Sequence, residues 1–193
     1  MKIVVTMSMT LDGVTQAPGR SDEDPRDGFR HGGWAPPYAD QVMGQAMGER
    51  MAAEGALLLG RRTYEALYAF WPRQTDGNPF TEKLNRTRKY VASRTLTEPL
   101  PWANSTLLSG DLLDSVAQLK AGEDGTLSVI GSVDVVRQLM RRHLIDEYLL
   151  LIHPLVLGSG RRLFADDDTV EKLRLVDSLT TTTGVIIGTY RPA

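Results

Sequence analysis

The chain has 193 residues, 41% of them hydrophobic and 24% charged, the composition of an ordinary globular domain with a sizeable core and not of a disordered chain. Its 22 basic and 24 acidic side chains leave a net charge of -2, so no global basic field points to nucleic acid, and any anion site must be local. Without cysteine there is no disulfide, thiol nucleophile or thiolate metal site, and His31, His143 and His153 show no ligand spacing, so no metal is expected.

The opening MKIVVTMSMTLDG alternates where a signal peptide would show a solid apolar block, and no apolar run approaches membrane-spanning length. A soluble, cytoplasmic chain without membrane contact is expected. Lys2 to Thr10 reads as the first strand, with Ile3, Val5, Met7 and Met9 on one face and Val4, Thr6, Ser8 and Thr10 on the other. Leu11-Asp12-Gly13 is a turn, and Val14 to Pro37 is a long segment rich in Gly, Pro and Asp, of the kind that forms lids or binding loops. Trp34 and Tyr38 either pin this loop to the core or face a ligand's ring. Asp40 to Ala53 reads as a helix whose apolar face carries Met43, Met47 and Met51.

The run LLLGRRTYEAL, Leu57 to Leu67, stops a buried strand at Gly60, places Arg61 and Arg62 in the turn, and starts a helix that Thr63 can cap. Free N–H groups at such a helix start attract anions, and planar guanidinium donors suit phosphate oxygens. The local pattern is equally that of an ordinary strand-to-helix connection. The helix carries Tyr64, Leu67, Tyr68 and Trp71 and ends at Pro72; Gly77-Asn78-Pro79 is loop; Arg88 to Ser93 is a short strand with Ser93 and Arg94 at its end. Thr106 to Ser109 is another strand, followed by a helix striped with Leu112, Val116 and Leu119 and capped by Asp111 or Ser109. A second junction repeats the first: strand Thr126 to Ile130, turn at Gly131, Ser132 as a cap, and a helix marked by Val135, Val136, Leu139 and Met140. Three strand ends thus carry small polar residues or arginines, and in a parallel sheet those ends share one side. Asp146 to Ile152 is a buried strand leading through His153-Pro154 into the loop LGSGRRLF, Leu157 to Phe164, and Lys172 to Leu179 with Gly184 to Tyr190 form an antiparallel hairpin. One domain spanning 1–193 is expected.

The succession SMTLDG, LLLGRRTYE, YVASRTL, SVIGS and DEYLLLIHPLVLGSGRRLF, closed by a hairpin, resembles the dihydrofolate reductase superfamily, in the branch of the C-terminal reductase domain of bacterial riboflavin biosynthesis proteins. The resemblance implies an α/β fold with a mostly parallel central sheet, flanking helices and a C-terminal antiparallel hairpin. It implies an NADPH-dependent reductase of a pyrimidine- or pteridine-like heterocycle, similar to 5-amino-6-(5-phosphoribosylamino)uracil reductase, acting as a homodimer. Carried over, Gly60, Arg61, Arg62 and Thr63 would sit at the cofactor's phosphates, Ser93 and Arg94 near the adenosine ribose, and Gly131, Ser132 and Val133 under the pyrophosphate. Two departures stand out: the paired glycines of the second junction are Gly131-Ser132 here, and the helix carboxylate of folate reductases falls in Gly44-Gln45-Ala46-Met47, which holds no acid. The zinc-dependent deaminase of the riboflavin pathway would need cysteines that the chain lacks.

Asp12 is the expected catalytic residue, orienting substrate or relaying a proton through water, although a turn aspartate bonding its own backbone fits the same sequence. Ser8, Thr10 and Trp34 are candidate pocket residues, and Arg161 and Arg162 are candidates for a substrate phosphate. The alternatives are a nucleotide-binding protein of the same fold without turnover, and a true dihydrofolate reductase.

Overall fold

The computed structural model describes residues 1–52, 55–75, 77, 79–122, 124–164 and 170–193, with side chains at 51 and 52 left aside. The expected end of the first helix at Ala53, the Met51 contribution to its stripe and Asn78 of the 77–79 loop lie outside what is described. Eight strands form one sheet: β1 Lys2–Thr10, β2 Gly55–Gly60, β3 Arg88–Ala92, β4 Ser105–Leu107, β5 Thr126–Ile130, β6 Glu147–His153, β7 Leu173–Thr180 and β8 Ile186–Pro192. Their spatial order is β4-β3-β2-β5-β1-β6-β8-β7, parallel from β4 to β6 and antiparallel through β8 and β7. The helices are α1 Gln41–Ala52, α2 Arg61–Phe70, α3 Pro79–Arg86, α4 Leu112–Gly122 and α5 Val133–Arg141. None of the described helices is long and apolar enough to cross a membrane.

The main core lies on one face of the sheet. Ile3, Val5, Met7 and Met9 of β1 pack there with Leu127 and Val129 of β5, Val116 of α4, and Val136 and Leu139 of α5. On the opposite face two separate clusters form. Tyr38, Met43, Ala46 and Met47 cover Leu149 and Leu151 of β6 beside Ile187 of β8. Tyr64, Leu84 and Trp102 cover Leu57 and Leu59 of β2 beside Val91 of β3. Between the two clusters the outward residues Lys2, Val4, Thr6 and Ser8 of β1 and Thr126 and Ser128 of β5 line an open cleft. Parallel sheets ordinarily have both faces covered and run apolar on both. The period-two alternation of β1 is therefore the mark of a cleft floor, set at the centre of the sheet.

Three expectations need correction. Pro79 is not loop, and no helix was expected after it: residues 79–86 form the two-turn α3, in which Pro79 occupies the first helical position, Glu82 lies in the first turn, Lys83 and Arg86 lie in the last, and Thr81 and Leu84 are buried. Thr63 does not cap α2, which begins at Arg61 with Gly60 as its N-cap and no side-chain cap. Ser132 stands at the N-cap of α5 but makes no capping bond either, because its backbone is left-handed (φ 62°) and its hydroxyl is engaged across the sheet. Of the two residues expected near the start of α4, Asp111 is the cap, accepting from the N–H of Leu113 (2.8 Å); at the start of α1, where no cap was expected, Asp40 accepts from the N–H of Met43 (2.7 Å).

The segment after β1 is packed and not extended into solvent. Val14, Ala17, Phe29 and Trp34 form a small core of their own against Leu155 and Leu157. Thr15 N–H donates to the carbonyl of Arg161 (2.8 Å) and Leu163 N–H to that of Gly13 (2.9 Å), so the loops after β1 and β6 are zipped together. Gly160 lets them close: a Cβ there would lie 2.7 Å from both Phe29 and Val14.

Lys89 is the one fully buried cation named among the described core residues (0% exposed). Its ammonium donates to the carbonyls of Thr87 (2.7 Å) and Ala103 (3.0 Å) and lies 4.4 Å from the Trp102 ring centre, with no carboxylate partner among the described residues. Burial pulls its pKa from 10.5 to about 8. The unfolded chain therefore holds this proton more tightly than the folded one between about pH 8 and 10.5, and the cost of the buried charge is relieved as pH rises through that window. Denaturant titrations should show the wild type gaining on Lys89→Met by about 2 kcal/mol from pH 7.5 to pH 10.5; a difference that stays constant with pH would contradict this account of Lys89.

Candidate functional site

The site grows from a topological reversal. From β2 the chain turns through α2 toward β3 on one side, whereas from the neighbouring β5 it turns through α5 toward β6 on the other. Open α/β sheets place ligands in the crevice that such a divergence leaves at the carboxyl ends of the strands. Here the two turns are stitched together. The N–H of Gly60 donates to Ser132 Oγ (2.8 Å), and that hydroxyl donates to Thr63 Oγ1 (2.8 Å). Gly131, with φ +59°, lies so close that a Cβ would stand 3.2 Å from the Thr63 methyl. Neither α2 nor α5 receives a side-chain cap, so both N-termini offer N–H groups to the crevice.

All nine expected cofactor positions, Gly60, Arg61, Arg62, Thr63, Ser93, Arg94, Gly131, Ser132 and Val133, line one cleft of about 1570 Å³. That exceeds the ~300–1,000 Å³ of a pocket for a single small molecule and leaves room for a dinucleotide beside a second ligand. Arg61 is steadied by Glu65 one turn on (3.3 Å), while Arg62 and Arg94 are exposed and have no ion-pair partner among the described residues. The Ser93 hydroxyl closes its own turn by accepting from the N–H groups of Thr95 and Leu96 (3.1 and 3.0 Å).

The expected substrate residues divide. Ser8 and Arg161 line the cleft; Thr10, Trp34 and Arg162 are not among its lining residues. Thr10 is fully buried and donates to Asp12 Oδ1 (2.6 Å) while accepting from Val14 N–H (3.0 Å). Trp34 resolves the alternative left open for it by pinning the loop: its indole N–H donates to the Gln16 carbonyl (2.9 Å) and its ring meets His153 edge-on at 5.0 Å. Tyr38 also meets His153 edge-on, at 5.6 Å. Burial holds the His153 pKa below its ordinary value, against the pull of the two carbonyls at its Nδ1. Arg162 donates to the Asp12 carbonyl (2.8 Å) and lies 3.5 Å from its carboxylate.

Asp12 is likewise absent from the cleft lining. Its carboxylate accepts from the Thr10 hydroxyl and from the N–H groups of Leu157 (3.2 Å) and Gly158 (2.9 Å). The Thr10 bond first, opposed by burial and aided by the two N–H donors, lowers its pKa to about 2. A carboxyl so placed is ionised at neutral pH and is a poor proton donor.

Sequence reasoning missed Gln16. This 3%-exposed side chain donates to the carbonyls of Asp24 (3.0 Å) and Arg26 (3.1 Å) and accepts from Arg161 N–H (2.9 Å), tying the loop after β1 to the loop after β6 at the cleft edge. A glutamine in an irregular segment has no periodicity to reveal it. Asp24 and Arg26 pair beside it; burial works against the Asp24 charge, but the guanidinium outweighs it and lowers the pKa. The floor residues Thr6 and Ser128, and Trp71 and Phe80 on the wall, also went unassigned. Among the described residues no group of His, Asp and Glu side chains converges to hold a metal ion.

The sequence matches the family of the RibD C-terminal domain over residues 1–187. It is 27% identical over 196 residues to the uncharacterized protein YyaP of Bacillus subtilis (strain 168), covering 96% of this chain and 92% of that one. The structure is similar to that of a protein from Shewanella sp. PV-4 described as belonging to riboflavin biosynthesis, with a TM-score of 0.72 at 21% identity over 100% of this chain and 99% of the other. It is also similar to dihydrofolate reductase from Enterococcus faecalis complexed with NADP(H), with a TM-score of 0.61 at 12% identity over 99% of this chain and 96% of that one. The chain belongs to the RibD C-terminal domain family, a family of reductase domains, and it has the dihydrofolate reductase-like fold.

Proposed function

We propose that the protein is an NADPH-dependent reductase of a small heterocyclic substrate, with the cofactor's phosphates held at the stitched turns after β2 and β5. The observation that carries this reading is the pair of uncapped helix N-termini, joined by the Gly60–Ser132–Thr63 hydrogen bonds and flanked by Arg61 and Arg62. Two sets of free N–H groups converging with fixed guanidinium charge fit a pyrophosphate, and the extra arginine favours the additional 2′-phosphate of NADPH over NADH. When bound, the cofactor supplies a hydride to an electrophilic carbon.

The chain's own work is to bind, orient and exclude water. Gly131 lets the backbone approach the pyrophosphate, and Val133 with Ser132 carries it onto α5. Arg94 and Ser93 lie at the end of β3, where the adenosine side would extend. Thr6, Ser8 and Ser128 give the floor hydroxyls that can orient the polar edge of a flat ring, and the zipped loops after β1 and β6 close one end. Asp12 is a positioning residue in this reading: it holds Leu157 and Gly158 in place through its carboxylate, and the proton that balances hydride addition comes from water in the cleft. A homodimer, as the resemblance implies, belongs to the same proposal.

Fluorescence titration of the nicotinamide should show NADPH bound more tightly than NADH, with Arg61→Ala weakening NADPH about tenfold or more and NADH less. Unchanged affinity for both would contradict the phosphate assignment. For Asp12 the sign follows from its lowered pKa: the carboxylate contributes stability above pH 3.8 that is lost as pH falls toward 2. Thermal melts of wild type and Asp12→Asn should therefore differ at pH 6 and converge below pH 3. A difference that persists at pH 2 would contradict the role given to this carboxylate.

A further inference from the structure

Lys89 lies at the amino end of β3, on the sheet face that Tyr64, Leu84 and Trp102 cover, and it is not among the residues that line the cleft. Its side chain is fully buried, where a lysine ordinarily needs a carboxylate partner. Three backbone carbonyls converge on its Nζ instead: Thr87 (2.7 Å), Ala103 (3.0 Å) and Asn85 (3.4 Å). Asn85 belongs to the last turn of α3 and Thr87 follows it, so two of the three carbonyls lie at a helix end, which lacks intrahelical donors and favours positive charge. The Trp102 ring closes a further side, its centre 4.4 Å from the ammonium. Ser105 of β4 stands in direct register with Lys89, and its buried hydroxyl has no hydrogen-bond partner among the described residues.

This is the donor set of a monovalent cation and not of a salt bridge. Carbonyl oxygens replace the hydration shell of a singly charged ion, as they do for potassium in channels, and an aromatic face adds to the attraction. A calcium or magnesium ion would need carboxylates, and none of the described residues brings one to the cage. From the elements packed around the ammonium only uncharged groups face it: Asn85 from α3, Trp102 and Ala103 from the segment before β4, and Ser105 from β4. Burial pulls its pKa to about 8, so the cage still holds a positive charge at neutral pH. The same residues tie the surrounding elements together. Trp102 donates its indole N–H to Asn85 Oδ1 (2.7 Å) and its backbone N–H to Tyr64 Oη in the first turn of α2 (2.9 Å). Asn104 donates its side-chain amide to the Asn85 carbonyl (3.0 Å), and its own carbonyl accepts from Lys89 N–H (2.7 Å). Helices α2 and α3 and strands β3 and β4 thus meet at one buried positive charge.

We infer that the cage formed by the carbonyls of Asn85, Thr87 and Ala103 with the Trp102 ring is a monovalent-cation site, of the donor chemistry that takes ammonium or potassium, which the chain fills with its own Lys89 ammonium. The charge, and not the lysine stem, locks Trp102 between α2 and α3. This site is separate from the cleft and stands independently of the reductase reading.

Thermal melts of Lys89→Ala, which empties the cage, test this at pH 7 in chloride salts of potassium, ammonium, sodium and tetramethylammonium at equal ionic strength. Potassium and ammonium should raise the midpoint by about 3 °C or more over tetramethylammonium, and saturably. Both should also return the Trp102 indole N–H resonance to its wild-type position. The wild type, whose cage is filled, and Lys89→Met, which fills the space without charge, should not distinguish the salts. Lys89→Ala melting alike in all four, or a wild type that discriminates as strongly, would overturn the site. A Lys89→Ala chain that stays unfolded in potassium while Lys89→Met folds would overturn it as well. Should neither variant fold, NMR of the wild type decides: a lysine ammonium with slowly exchanging protons at pH 7 supports the cage, and fast exchange at every lysine removes it.

Discussion

Everything in this molecule follows from leaving one face of two central parallel strands uncovered. A parallel sheet is stable when helices bury both its faces, because the crossovers that make it parallel deliver helices to both sides. Here α4 and α5 bury one face of β1 and β5 completely, while on the other face α1 stands over β6 and β8 and α2 with α3 over β2 and β3. The gap between these two groups is the cleft. Its floor tolerates exposure because its residues are small hydroxyls, a valine and one paired lysine, and its walls are stable because each belongs to its own apolar cluster.

The cleft is polar at both ends and apolar between, for different reasons at each end. At the carboxyl ends the polarity is backbone: two helices begin without caps, and the Ser132 hydroxyl, which would satisfy α5 in an ordinary capping arrangement, is spent on Gly60 and Thr63. A non-glycine residue in the left-handed region costs on the order of 1 kcal/mol, and the two cross-strand bonds offset it. At the amino ends the polarity is side-chain charge, Lys2 and Arg50 held by Glu147. Asp12 and Gln16 are the corresponding devices in the loops, each buried or nearly so, and each using one side chain to hold several backbone groups of a neighbouring segment.

The sheet and the two strand-to-helix turns of the candidate site were legible in the sequence because their signals are local. A run that stops at glycine before an amphipathic stretch marks a strand-to-helix turn wherever it occurs, and two such turns sufficient to define one side of a sheet appear at Gly60 and Gly131. The alternation of β1 was equally plain, but its meaning was not: only the strand order shows that the polar face belongs to a central strand with no helix above it. The rest of the cleft depends on pairings between residues far apart in sequence, such as Lys2 with Glu147 and Gln16 with Arg161, which no spacing reveals. Asp12 drew attention as a lone carboxylate beside a pocket-forming strand, and its partners Leu157 and Gly158, some 145 residues away, are what turn it into a staple. The short α3 escaped because its amphipathic signal spans only two turns.

The central claim is that the stitched turns after β2 and β5 hold the phosphates of a dinucleotide. A crystal structure of the protein soaked with NADPH tests it most directly. The account predicts the pyrophosphate against the N–H groups at the starts of α2 and α5, the 2′-phosphate within reach of Arg61 or Arg62, and the nicotinamide over the floor near Thr6 and Ser8. A nucleotide bound elsewhere, or a complex in which those N–H groups face only water, would contradict it.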